Sequence, residues 1–212
     1  MTVDEKIDRI IYIRDMIEPN EITLLTGSNG SGKSLVRKQV SFSLARKIPN
    51  VNIEKLTADV SMQRRTESNP EWGALSSINH DLSWNPTSYS TYSLIDTMLN
   101  SCLTEDDSKK RYIIIDEPEI GMSRETQLGL VKYLMNRLDE IMSNSHGLLI
   151  ITHSEVIVDA FKDKSVFLNL DKDCTADEWL HRELIPVDLE QLAKDSHELF
   201  LGINERSKKN EG

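Results

Sequence analysis

The chain has 212 residues, of which 25 are basic and 35 acidic, for a formal charge of −10. That balance gives no support to a broad basic groove for nucleic acid. The two cysteines, Cys102 and Cys174, point away from a disulfide framework or zinc cluster and fit a reducing compartment. No apolar run approaches the roughly 20 residues of a membrane helix, and the first residues lack the basic-then-apolar layout of a leader. The expectation is a soluble cytoplasmic protein without membrane insertion.

In chain order, the apolar run at 6–13 predicts an opening strand, and Glu18-Pro19-Asn20 a turn. Ile22-Thr23-Leu24-Leu25 reads as a short strand and 35–45 as a helix. Residues 51–56 alternate like a half-buried strand. A polar, serine-rich stretch at 63–93 holds Pro70, Pro86, Trp72 and Trp84, and 93–103 has helical spacing. After a charged loop at 104–110, residues 112–115 form a continuously apolar strand, as in a sheet covered on both faces. An amphipathic helix at 127–142, a strand at 148–151, a helix at 155–161, a strand at 165–170 and a last helix at 189–201 follow, before a polar tail at 205–212. Such alternation predicts an α/β fold with a mostly parallel sheet flanked by helices. With no repeats and no interdomain linker, it also predicts one domain over 1–204.

The densest signal is Gly27-Ser28-Asn29-Gly30-Ser31-Gly32-Lys33-Ser34, a G-x-x-x-x-G-K-S phosphate-binding loop between a strand and a helix. Its glycines let backbone N–H groups turn toward an anion, and the helix N-terminus adds positive potential. Lys33 can reach the outer phosphates, and the Ser34 hydroxyl can ligate magnesium.

A second signal is the apolar strand Ile113-Ile114-Ile115 ending in Asp116-Glu117. Adjacent carboxylates at the end of a buried strand are costly to desolvate without a purpose. Asp116 is the candidate magnesium residue and Glu117 the candidate general base toward water. A third is Leu149-Ile150-Ile151-Thr152-His153, where His153 can hold a terminal phosphate.

Together these segments resemble the ABC-type ATPase superfamily. Gly27 to Ser34 is similar to its Walker A, Ile113 to Pro118 to its extended Walker B, and Thr152-His153-Ser154 to its switch-histidine loop. The form Asp-Glu-Pro-Glu at 116–119 resembles the stand-alone SMC, Rad50, RecF and OLD type, and the resemblance spans 20–170. It implies ATP and Mg2+ as ligands and a head-to-tail homodimer with each nucleotide completed by a partner's signature loop. That loop corresponds to 88–93, where Ser90 is the first choice and Ser93 the alternate; the glycines usual there are missing. The resemblance further implies Gln63 as a contact to magnesium and water, and Ser123 as a dimer contact, for which a plain helix cap competes. Tyr12 is the one aromatic placed to stack on adenine, though a core role on its strand fits better. The resemblance makes 63–103 a reduced helical and signature subdomain, smaller than a transporter's, with no long heptad insertion and no attached nuclease. Output therefore falls to dimerisation or to a separate effector protein, as in DNA repair or phage defence. A poorly hydrolysing regulatory module, a transporter subunit and a small-molecule kinase are the competing readings.

Overall fold

The computed structural model describes residues 2–49, 51–61 and 87–210. Five strands form one parallel sheet: β1 (Ile22–Thr26), β2 (Thr57–Ser61), β3 (Tyr112–Asp116), β4 (Leu148–Ile151) and β5 (Val166–Asn169), in the order β2-β3-β4-β1-β5. Side chains alternate across the sheet. Leu24, Ile113, Ile115, Leu148 and Ile150 enter one core, while Leu25, Tyr112, Ile114, Leu149 and Ile151 enter the other. Helices cover both faces, which is why the strands read as continuous apolar runs.

One face is covered by α1 (Val3–Met16) and α2 (Lys33–Ala45), and α1 also packs against the long helix α9 (Leu189–Asn210). The other core takes in α4 (Thr87–Cys102), α5 (Arg124–Asn136), α6 (Leu138–Asn144), α7 (Glu155–Phe161) and α8 (Ala176–Leu180). A short α3 (Ile53–Leu56) leads directly into β2.

Several sequence expectations are corrected. The opening run is a helix, not a strand: Ile7, Ile10, Ile13 and Ile17 recur at helical spacing and are buried. Thr2 and Glu5 form a capping box at its start. Tyr12 is consequently not a core residue. It is 52% exposed, with the Arg9 guanidinium 5.4 Å from its ring centre. Residues 51–56 are not the strand; the pairing starts at Thr57. The helix expected at 127–142 is two helices, broken at Arg137, whose guanidinium bonds Glu140 and the Tyr133 hydroxyl. The helix α8 was not anticipated, although Thr175 and Glu178 form a capping box there too. The final helix continues through Asn210, into the stretch expected to be a frayed tail.

Among the described residues no helix is long and apolar enough to cross a membrane. Cys102 and Cys174 are both free.

Candidate functional site

Strand order gathers the three motifs. β4 lies between β1 and β3, with Leu25 in register with Ile151 and Ile151 with Asp116. The loops leaving these strands therefore open side by side at the carboxyl edge of the sheet, where parallel α/β sheets hold their ligands. The ladder continues one residue beyond the strands: Glu117 N–H donates to Ile151 O at 2.8 Å and Thr152 N–H to Leu25 O at 3.0 Å.

The loop from Gly27 runs out of β1 and enters α2 at Lys33. Gly32 precedes the helix at φ 107°, a left-handed conformation open to glycine, and a Cβ there would run into the Ile10 side chain. Gly30, at φ 75°, lies against α9, where a Cβ would come 2.5 Å from Ser196 Oγ. The Lys33 ammonium is buried and donates to the carbonyls of Gly27 at 3.0 Å and Ser28 at 2.9 Å. Burial pushes its pKa down, against the pull of Glu117, Asp171, Asp116 and Glu119.

The architecture is an α/β fold in which the glycine-rich loop joins β1 to α2. No family model matches the chain, and no curated protein matches it in sequence. Among solved structures it is similar to C. elegans PCH-2, with a TM-score of 0.36 and 15% identity over 79% of this chain and 41% of that one. It is also similar to Saccharomyces cerevisiae RIF2, with a TM-score of 0.38 and 8% identity over 94% of this chain and 70% of that one. The chain thus spans less than half the length of the PCH-2 chain. Likenesses so distant carry no chemistry, and the site is read from its own residues.

Asp116 and Glu117 are both buried. Glu117 has φ 52°, a left-handed conformation uncommon outside glycine, where the chain leaves β3. His153 Nε2 lies 3.4 Å from Glu117 Oε1, so the expected base and the expected phosphate-holding residue meet. Ser34 is exposed at the start of α2. A serine hydroxyl and one carboxylate are hard oxygen donors, the set that suits Mg2+, an ion that retains several waters and asks few protein ligands. Among the described residues no group of three His, Cys, Asp or Glu side chains could hold a metal. Gln63, the other expected metal contact, lies outside the described residues, as do Trp72 and Trp84.

The expected signature serines differ from expectation. Ser90 and Ser93 lie within α4, in its first two turns, not in a loop ahead of a helix. Ser123 caps α5, its hydroxyl accepting from Thr126 N–H, which gives geometry to the cap reading.

Three residues without an assigned role in the sequence join the site. Glu119 Oε1 accepts from the His153 backbone N–H at 2.6 Å, tying the loop after β3 to the loop after β4. Burial raises its pKa, and its Oε2 has no hydrogen-bond partner. The Ser154 hydroxyl donates to Gln127 Oε1 at 2.6 Å and caps α7 by accepting from Ile157 N–H. Asp171, just past β5, accepts from the Ser28 N–H at 2.7 Å and the Ser28 hydroxyl at 2.8 Å. Glu119 was legible as a fourth acid-rich position in Asp-Glu-Pro-Glu. Asp171 has no sequence cue, because its partner is 143 positions away.

Proposed function

We propose that the chain is a P-loop ATPase of the ABC type, which binds Mg-ATP at Gly27, Ser28, Asn29, Gly30, Ser31, Gly32, Lys33 and Ser34 and hydrolyses it. The observation that supports this reading best is the convergence of Lys33, Asp116, Glu117 and His153 at one sheet edge. Phosphoryl transfer to water needs little covalent participation by the protein; it needs positioning and charge neutralisation. Backbone N–H groups of the loop and the Lys33 ammonium would hold the β- and γ-phosphates. Ser34 and Asp116 would hold magnesium, which supplies charge neutralisation at the phosphates. Glu117 would accept the proton of the attacking water as the bond from γ-phosphorus to the bridging oxygen breaks and ADP leaves. His153 would orient the γ-phosphate toward that water.

The mechanism extends to assembly. ATP would close a homodimer in which Ser90 or Ser93 of one copy reaches the nucleotide of the other, and hydrolysis would reopen it to control a separate effector protein. The direct test is solution mass of Glu117→Gln with magnesium, with and without ATP. A rise from monomer to dimer with ATP is the expected result; an unchanged monomer with bound ATP sinks the sandwich.

A second reading, a regulatory module that binds nucleotide and turns it over poorly, draws on two observations. The serines at 88–93 sit inside a helix, and α9 rests on the loop at Gly30. Slow phosphate release from wild type at saturating ATP would favour it.

A further inference from the structure

Arg37 is on α2, three residues beyond Ser34 and so on the same side of that helix. Its Nη1 is 3.4 Å from Asp116 Oδ2 and 3.3 Å from Asp59 Oδ2. One nitrogen therefore stands between two carboxylates at nearly equal distance. Asp59 is on the edge strand β2, where Ser61 is in register with Asp116; Asp59 lies two residues back and faces the same side. Exposure differs sharply: the side chains of Arg37 and Asp116 are 9% and 8% exposed, that of Asp59 36%.

An arginine retained to fix structure generally engages a carboxylate with two parallel N–H bonds. Here both acids are approached through the same Nη1, at 3.3 Å and 3.4 Å, and Arg37 Nε is buried with no hydrogen-bond partner. A buried, imperfectly satisfied pair of this kind contributes little to stability. What it does supply is a positive charge beside a buried carboxylate that a divalent ion is expected to use. A guanidinium and a divalent cation on one carboxylate repel each other.

We infer that Arg37 is a resident counter-cation of Asp116, in addition to the Lys33 ammonium that Asp116 also attracts. It shares that carboxylate while no divalent ion is bound, and it shifts onto Asp59 when one arrives. The half-exposed Asp59 is the receiving group, close enough that the shift needs no backbone movement. Arg37 thereby sets how strongly the site couples metal to nucleotide. The inference rests on Asp116 being the magnesium residue of the proposed function.

The two partners give opposite signs. Arg37→Met removes the competitor and strengthens metal coupling. Asp59→Asn removes the receiving carboxylate, leaves the guanidinium on Asp116 and weakens it. The experiment is calorimetric titration of ADP into the full chain in EDTA and in Mn2+, comparing the ratio of the two dissociation constants. The expected result is a ratio several-fold larger than wild type in Arg37→Met and several-fold smaller in Asp59→Asn. Damage to the fold would shift both variants the same way. A shift of both in one direction, or of neither, while wild type binds ADP in both conditions, overturns the role of Arg37 and leaves the nucleotide site standing. Absence of ADP binding by folded wild type in both conditions overturns the proposed function and this inference together.

Discussion

His153 Nε2 and Glu117 Oε1 stand 3.4 Å apart, across the loops that leave two neighbouring strands. The contact is an ion pair only when the imidazole is protonated, and it lacks hydrogen-bond alignment. A water or phosphate oxygen entering between them would meet a carboxylate on one side and an imidazole on the other. Glu117→Gln is therefore expected to lose on the order of 10²–10⁴-fold in turnover while keeping ATP binding. Phosphate release and equilibrium nucleotide binding measure the two quantities separately; retained turnover would remove Glu117 from the role of base.

Stability and activity should separate at the same residue. Glu117 has φ 52°, a conformation that costs folding free energy in a residue other than glycine. Glu117→Gly relieves that strain and is expected to stabilise the protein by about 1 kcal/mol while abolishing turnover. Urea denaturation checks the sign; a less stable variant means that contacts of this side chain outweigh the strain.

The carboxyl of Glu119 gives a pH signature. Burial raises its pKa above the ordinary carboxylate value. The folded state therefore binds the proton more tightly than the unfolded chain, and stability declines as pH rises through the raised pKa. That contribution is fully present below the unfolded carboxylate value, near 4.5. Glu119→Gln can still accept from His153 N–H and should flatten this part of the profile. Thermal melts of both proteins from pH 4 upward test it. Parallel profiles would show that Glu119 is not the source.

At Gly32 the loop and the core are coupled. An alanine there adopts φ 107° at a strain and collides with Ile10, itself buried between α1 and the sheet. Gly32→Ala is expected to destabilise by about 1–3 kcal/mol and to weaken nucleotide binding. Gly129 meets nothing within 4 Å of its added Cβ, so Gly129→Ala should raise stability by a few tenths to about 1 kcal/mol as a matched control.

Ser123→Ala removes the cap of α5 and should cost about 1 kcal/mol in the isolated chain. An unchanged denaturation midpoint would shift weight to the expected contact across a dimer.

The three motif segments were legible because each carries its own local code: glycines where the loop turns, acids at a strand end, a histidine after another strand. The strands β3 and β4 were legible as unbroken apolar runs. What the sequence concealed is of two kinds. Ile7 to Ile17 contains adjacent isoleucines, Ile10 and Ile11, which imitate a strand although only the former is buried. Pairings such as Asp171 with Ser28 or Arg37 with Asp59 exist only after the sheet is assembled, and no local pattern announces them.

The flanking of β1 has a consequence for synthesis. Among the described residues its only ladder partners are β4 and β5, both more than a hundred positions downstream. A nascent chain ending before Leu148 would carry the complete phosphate-loop sequence with no strand to brace it, and its apolar face would remain open to other chains. Non-local parallel pairing of this kind folds slowly and leaves a window for aggregation. The loop thus gains its last braces only when Leu170 and Asp171 reach it, Asp171 lying 143 positions beyond Ser28.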